Sequence, residues 1–168
     1  CTTLGAILFN QASPEAPPAR GIAARLKPEF YRGLQGRSFM TACCAVIETD
    51  GRLSFAGAGH PPLLIRRADG AVEEMPSLAT VIGLHETLEV SETKTTLAPG
   101  DTALLYTDGL FSSRSDNGER LTGDDLTKAF ARLGGHDDLL AWLVAELAQP
   151  SKEQTFDDDI AAIALRRS

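Results

Sequence analysis

Two acidic segments at the ends of apolar runs are the residues of this chain best suited to chemistry. The apolar run 102–107 closes on Asp108-Gly109, and an acidic cluster at 157–159 immediately precedes the last apolar run, 160–165. If both runs are core strands, a carboxylate is held at an end of each strand. Such carboxylates can converge on one cation, and hard divalent ions prefer oxygen ligands of this kind. The pattern therefore indicates metal-assisted chemistry.

The element that positions Asp108 is predicted to be a strand buried on both faces. Residues 102–107, like residues 39–47, are apolar at both even and odd positions, which is typical of strands inside a covered sheet. Asp50-Gly51 and Asp69-Gly70 each separate two apolar runs, which predicts two hairpins. Further strands are predicted at residues 53–56, 63–67, 72–75, 88–97 and 160–165.

Helices are predicted after the strands. Thr122 and Asp125 resemble a capping box, which predicts a helix over residues 122–133 with its apolar residues on one face. A second helix is predicted over residues 137–148. Meander strands followed by helices predict an α+β fold made of stacked layers, with helices outside and sheets inside.

Length and composition are typical of one soluble globular domain. The 168 residues, 43% hydrophobic and 23% charged, are enough for a sizeable core. No linker divides them, so we expect a single domain over residues 1–168. The net charge of −7 disfavours a nucleic-acid partner or an anionic membrane surface. No apolar stretch approaches the roughly 18 residues that a membrane-spanning helix needs.

The three cysteines give no disulfide framework. Cys43 and Cys44 are adjacent in a predicted strand and should point to opposite faces, as core thiols of a protein in the reducing cytoplasm. The chain begins at Cys1, and we expect a fragment that starts inside a helix. An amino-terminal cysteine can also be a self-activating nucleophile, but nothing else in the sequence supplies the surroundings of such a site.

Five short segments occur in an order that resembles a known family. Each alone is common, but together they span residues 37–166 at plausible intervals and resemble the SpoIIE-type, RsbU-like branch of the metal-dependent protein serine/threonine phosphatases. The segments are Phe39-Met40-Thr41-Ala42, Ala56-Gly57-Ala58-Gly59-His60-Pro61-Pro62, Pro99-Gly100-Asp101, Tyr106-Thr107-Asp108-Gly109 and Asp158-Asp159-Ile160.

The resemblance implies a fold, a reaction and a set of ligands. It implies a four-layer α-β-β-α sandwich with mostly antiparallel sheets, and hydrolysis of phosphoserine or phosphothreonine with two Mn²⁺ or Mg²⁺ ions. The implied substrate is a phosphorylated regulatory protein of the anti-anti-sigma type, and an upstream receiver or sensor domain is expected. By this resemblance Asp108 and Asp158 would bind one ion, Asp159 is the neighbouring candidate ligand, and Gly109 would allow the tight turn beside Asp108.

The sequence departs from the family in its amino-terminal part. Before residue 39 the only acidic residues are Glu15 and Glu29, in no matching context, whereas the family carries further acidic ligands there, including an Asp that bridges both metals. We therefore expect at most half of the dinuclear site, a fold incomplete at its amino terminus, and exposed sheet edges that invite a homodimer. A truncated phosphatase and a catalytically degenerate regulatory module of the same fold both stay open.

Two further residues invite catalytic roles. His60 precedes Pro61, which favours extended backbone, so His60 is interpreted as fixing a turn by bonding to backbone rather than as a proton shuttle. Arg114 could offer positive charge to a phosphate, and the alternative is a solvated loop residue. Asp157 is interpreted as solvated.

Overall fold

The computed structural model describes residues 39–83, 89–112, 120–134, 138–148 and 158–168. Cys1, Arg114, Asp157 and the expected amino-terminal helix lie outside these ranges. The described elements are β1 (Ala42–Ile47), β2 (Arg52–Ala58), β3 (Leu63–Arg66), β4 (Val72–Met75), β5 (Thr93–Thr96), β6 (Thr102–Tyr106), a 3-10 helix (Asp108–Phe111), α1 (Gly123–Ala131), α2 (Leu139–Ala148) and β7 (Ala162–Arg166). The chain divides into two compact units, one of residues 1–62 and 75–97 and one of residues 63–74 and 98–168.

The first unit contains a three-stranded antiparallel sheet in the order β1-β2-β5. β1 and β2 form the predicted hairpin, in which Ile47 pairs with Leu53. Gly51 takes a φ of 90° at the turn, a backbone conformation that glycine adopts without a steric cost. The prediction of a hairpin at Asp50-Gly51 is therefore confirmed.

The strand predicted over residues 88–97 is longer than the strand that forms among residues 89–97, and residue 88 lies outside the described residues. β5 covers only Thr93–Thr96, and it pairs with β2 from Arg52 to Phe55. Buried apolar side chains of this unit include Leu53, Phe55 and Leu97, and Ala58 and Ile82 belong to one cluster with Met40 and Ala79. Both described cysteines are free; Cys44 is buried and Cys43 is half-buried.

The second unit contains a four-stranded sheet in the order β4-β3-β6-β7. Asp69-Gly70 forms the predicted turn between β3 and β4, where Gly70 has a φ of 94° and its N–H donates to Arg67 O at 2.9 Å. β6 lies between β3 and β7, antiparallel to both, and every one of its residues is buried. The prediction of a core strand leading to Asp108 is confirmed.

Helices α1 and α2 complete the core of the second unit. α1 begins at the predicted capping box, in which the Thr122 hydroxyl accepts the Asp125 N–H and the Asp125 carboxylate accepts the Thr122 N–H at 3.0 Å. Both helices contribute buried apolar residues to a cluster with β3 and β6, and Leu139, Leu140, Trp142 and Val144 of α2 are half-buried against it. The buried members of the cluster include Leu64, Leu104, Tyr106, Leu126, Phe130, Leu133, Leu143 and Leu147. Burial of this cluster removes apolar surface from water and holds the sheet and helices together.

The architecture of the described residues is α+β, with antiparallel sheets followed along the chain by two helices. The expected fold class is confirmed at this level. A search of the described helices finds none with both the length and the apolar character needed to cross a membrane.

Candidate metal centre

Strand β6 delivers Asp108 to the surface at its carboxyl end. The strand is buried over its whole length, Thr107 is half-buried, and Asp108 is exposed as the first residue of the 3-10 helix. The same helix then buries Gly109. Ser112 closes it by donating its N–H and its hydroxyl to Gly109 O, at 3.2 and 2.9 Å. Buried residues thus flank one exposed carboxylate on both sides.

The segment before β7 brings a second acidic pair to the same end of the sheet. β7 runs antiparallel to β6, and Ala162 pairs with Tyr106, so the residues that precede β7 lie beside those that follow β6. Asp158 and Asp159 are exposed there, and the Asp159 N–H donates to Asp158 Oδ1 at 2.8 Å. The two acidic segments therefore lie side by side.

Gly109 is a point of close approach between these two segments. A Cβ added to Gly109 would overlap Asp159 O, and it would lie 2.8 Å from the Asp159 carbonyl carbon and 3.2 Å from Asp158 O. Gly109 does not have a positive φ. Glycine is thus required here because another backbone passes against it. The tight turn that the resemblance implies for Gly109 stays a prediction.

Thr107, to which the sequence patterns assign no role of its own, joins the same two segments by hydrogen bonds. Its Oγ1 accepts from the Ala161 N–H at 2.9 Å and lies 3.1 Å from Asp159 O, to which it can donate. The Thr107 N–H also donates to Ala161 O at 2.9 Å. The sequence signal for Thr107 is its place before Asp-Gly in the segment Tyr106-Thr107-Asp108-Gly109. This signal is weak because threonine is common in strands.

The chemistry of the acidic side chains fits a divalent cation. No ion pair joins Asp108, Asp158 or Asp159 to a lysine or arginine in the ranges that the structure describes. Carboxylates on adjoining segments repel one another unless water or a cation intervenes. Their hard oxygens are the ligands that Mn²⁺ and Mg²⁺ prefer, so the residues present fit such an ion.

These residues supply only part of a coordination shell. Within the described residues no group of three or more His, Cys, Asp or Glu side chains is arranged to hold a metal ion. An ion bound by Asp108 and Asp158 would need further oxygens, from water or from other parts of the protein. Mg²⁺ commonly keeps several waters when one or two carboxylates bind it.

His60 lies in the first unit, and its contacts do not indicate a role in proton transfer. Its Nδ1 is 3.0 Å from Pro61 O, and its backbone N–H donates to Ser77 Oγ at 3.3 Å. The interpretation of His60 as a turn residue whose imidazole contacts backbone agrees with this geometry.

Asp101 lies at the opposite end of β6, and its carboxylate is already bonded to other groups of the protein. Arg67 Nη1 donates to its Oδ2 at 2.7 Å, and the N–H groups of Ala98 and Ala68 donate to its two oxygens at 2.9 and 3.0 Å. Burial alone would raise the pKa of Asp101, but the hydrogen bonds from Arg67, Ala98 and Ala68 outweigh burial and lower it. Asp101 therefore joins the β3–β4 turn to the start of β6.

Comparison with known proteins gives a family and a longer relative. The family model described as Stage II sporulation protein E (SpoIIE) matches residues 1–168. Protein IcfG of Synechocystis sp. is 27% identical over 152 residues, which make up 87% of this chain and 24% of that protein. The chain thus spans about a quarter of the length of the relative it matches.

Solved structures show the same fold. The structure of the RsbU and RsbW domains of Rv1364c from Mycobacterium tuberculosis matches with a TM-score of 0.64 and 23% identity, covering 92% of this chain and 43% of that one. The SiaA-PP2C domain of Pseudomonas aeruginosa matches with a TM-score of 0.56 and 26% identity, covering 71% of this chain and 48% of that one. The phosphatase-type fold that the resemblance implied is confirmed.

Proposed function

The chain belongs to the SpoIIE family, and we propose on that basis that it is a metal-dependent phosphatase domain that hydrolyses phosphoserine or phosphothreonine on a regulatory protein. The observation that carries the proposal is the close approach of Gly109 to the Asp158–Asp159 backbone. It brings two acidic segments together at one end of the sheet. We further propose one such domain over residues 1–168, which the single family match over the whole chain supports.

Each residue of the site has a distinct role in this proposal. Mn²⁺ or Mg²⁺, when bound, supplies a water of lowered pKa and offsets the charge of the phosphoryl oxygens. The Asp108 and Asp158 carboxylates would hold the ion, and Asp159 would be a neighbouring ligand or an outer partner. Gly109 leaves room for the second segment. No side chain needs to form a covalent intermediate in this scheme.

A catalytically degenerate regulatory module is the second candidate function. Two observations favour it: acidic ligands are scarce before residue 39, and no complete metal-holding group exists among the described residues. In this candidate the same fold binds a signalling partner without turnover. The phosphatase proposal instead requires further ligands beyond the carboxylates at 108 and 158, so turnover by these 168 residues alone is not expected.

The partner is proposed to be a phosphorylated domain of the anti-anti-sigma type. The family resemblance supports this, as does the matching structure in which an RsbU domain accompanies an RsbW domain. We propose a cytoplasmic location because the described cysteines, Cys43 and Cys44, are free thiols. An upstream receiver or sensor domain remains part of the proposal, and the much greater length of IcfG is compatible with it.

Phosphate release tests the proposed reaction. The protein that contains this chain is incubated with a phosphoserine-bearing anti-anti-sigma-type domain and Mn²⁺. We expect Mn²⁺-dependent release that Asp108→Asn abolishes. Asp124→Asn, an equally exposed carboxylate in the first turn of α1, is the matched control and should retain release. Absence of turnover in a parent protein that binds Mn²⁺ would favour the regulatory module.

A further inference from the structure

We propose that Thr107 is a positioning residue for the metal site, whose hydroxyl fixes residues 158–161 against the end of β6. The inference rests on the proposed metal-dependent function, and it assigns a role that neither the acidic residues nor Gly109 fills. Thr107 itself need not touch the ion. Its hydroxyl would set where Asp158 stands relative to Asp108.

The hydroxyl of Thr107 bridges two backbone groups on either side of Ile160. It accepts from the Ala161 N–H at 2.9 Å, and its nearest acceptors are Asp159 O at 3.1 Å and Ala161 O at 3.4 Å. A hydroxyl has one proton to donate and two lone pairs, so it satisfies one acceptor and the Ala161 amide together. The shorter contact favours donation to Asp159 O.

The bridged segment lies beyond the regular pairing of the sheet. The pairing between β6 and β7 ends at Tyr106 and Ala162, and past it one backbone bond, from Thr107 N–H to Ala161 O at 2.9 Å, continues the ladder. No pairing of strands β6 and β7 reaches Asp159. The hydrogen bond from the Thr107 hydroxyl to Asp159 O extends the contact between the two segments to Asp159.

Asp159 O lies against two residues at the end of β6. The Thr107 hydroxyl is 3.1 Å from it, and it also lies so close to Gly109 that an added Cβ would overlap it. This carbonyl is therefore fixed relative to Asp108, which stands between Thr107 and Gly109 in the chain. The carbonyl belongs to the planar Asp159–Ile160 peptide, and only the φ and ψ of Asp159 separate it from the Asp158–Asp159 peptide. The oxygen of that second peptide, Asp158 O, also lies close to Gly109, at 3.2 Å from an added Cβ. Contacts to both peptides limit where the Asp158 carboxylate can lie.

Loss of the Thr107 hydroxyl should change the position of residues 158–161 more than it changes the stability of the fold. Thr107 is half-buried, so water can replace the lost bonds to Ala161 N–H and Asp159 O, but water does not tie the segment to β6. Groups that orient metal ligands from outside the coordination shell commonly change affinity by roughly 10- to 100-fold when they are removed. A role confined to folding would leave the affinity of the folded protein unchanged.

The chain supplies a matched control on the same strand. Thr102 is fully buried in β6, and its hydroxyl has no hydrogen-bond partner among the described residues. Thr107→Val and Thr102→Val therefore make the same chemical change, and only the first removes hydrogen bonds. Thr107→Ser restores the hydroxyl and removes only a methyl group.

The test is calorimetric titration of Mn²⁺ into the 168-residue chain and these three variants, with hydrogen exchange of the Ala161 amide measured in parallel. We expect Thr107→Val to weaken Mn²⁺ binding roughly tenfold and to speed exchange at Ala161. Thr107→Ser and Thr102→Val should each stay within about threefold of the parent, a margin well below the smallest effect expected for an outer-shell partner. Thr107→Ala replaces the valine variant if that one fails to fold.

The outcomes separate this inference from the function on which it rests. If the parent binds Mn²⁺ and Thr107→Val binds it equally well, Thr107 does not position the site although the metal proposal stands. If the serine variant is as weak as the valine variant, the hydroxyl is not the cause and the inference is overturned. If the parent binds no Mn²⁺, the metal function itself fails and the positioning role falls with it.

Discussion

Strand β6 has an aspartate at each end, and the two differ in burial and in ion pairing. Asp101 precedes the strand, and its side chain is only 3% exposed and ion-paired with Arg67. Asp108 follows the strand, is exposed, and forms no ion pair with any described lysine or arginine. One carboxylate is thus already satisfied by protein groups, and the other is available to an ion.

The difference arises from what each strand end meets. At the start of β6 the β3–β4 turn provides a guanidinium and a backbone N–H, which compensate the cost of burying Asp101. At the far end the neighbouring segment provides carbonyl oxygens and two more carboxylates. The identity of the neighbours, and not the residue type, decides whether an aspartate stabilises the fold or binds a ligand.

Removal of the charge at Asp101 should produce the largest loss of stability. Asp101→Asn breaks a buried ion pair, and we expect a loss of about 3 kcal/mol in the free energy of unfolding, because Arg67 loses a buried carboxylate partner. Urea denaturation measures the effect. Glu73→Gln, which removes the exposed partner of the same arginine, should cost less than about 1 kcal/mol. Equal losses in both variants would contradict the structural role of Asp101.

Gly109→Ala should reduce stability somewhat less than Asp101→Asn does. It should also disturb the candidate metal site at the carboxyl end of β6. The new Cβ would collide with the Asp159 carbonyl, so one segment must move, at a cost of about 1–3 kcal/mol. Gly123→Ala is the control because a Cβ there meets no atom within 4 Å. Thermal unfolding should show a lower midpoint for the first variant and no loss for the second. A neutral Gly109→Ala would mean that the two segments are not in contact.

The free energy of unfolding should depend on pH through Asp101. The pKa of Asp101 is lowered in the folded chain, so the unfolded chain takes up the proton first as the pH falls. Asp101 therefore makes its full contribution to the free energy of unfolding above its unfolded pKa of about 3.9. That contribution is lost as the pH falls through the lower pKa of the folded state. Asp101→Asn should therefore show a shallower loss of stability below pH 4 than the parent. A residual slope is expected, because hydrogen bonds also lower the pKa of Glu73 and Asp125.

Asp108→Asn should have the smallest effect on stability. Surface substitutions away from buried pairs usually change the free energy of unfolding by no more than about 0.5 kcal/mol, and Asp108 is exposed without an ion pair among described residues. Without added metal, urea denaturation should place this variant beside the parent. A loss comparable to that of Asp101→Asn would show that Asp108 also supports the fold.

The sequence predicted the elements whose signals are local. The hairpins at Asp50-Gly51 and Asp69-Gly70, the buried strand β6 and the capping box at Thr122 are each encoded within a few neighbouring residues, and all four form. The strand expected over 88–97 was too long, because alternation in the sequence does not reveal how much of a partner strand is available.

The contacts around the candidate site could not be predicted in the same way. The Thr107 hydroxyl meets Ala161, and Arg67 meets Asp101, across 54 and 34 residues of sequence. The first contact depends on the register between β6 and β7, and the second on the position of the β3–β4 turn. The amino-acid sequence shows neither of these directly, so it marked Gly109 as a candidate site residue without revealing that the Asp158–Asp159 backbone passes against it.

The most direct test of the account is calorimetric titration of Mn²⁺ into this chain and into a double variant, Asp108→Asn with Asp158→Asn. Asp124→Asn serves as a control for loss of a surface charge. We expect the parent and the control to bind Mn²⁺ and the double variant not to bind it. Equal binding by parent and double variant, or no binding by either, would contradict the assignment of these two carboxylates to a metal site.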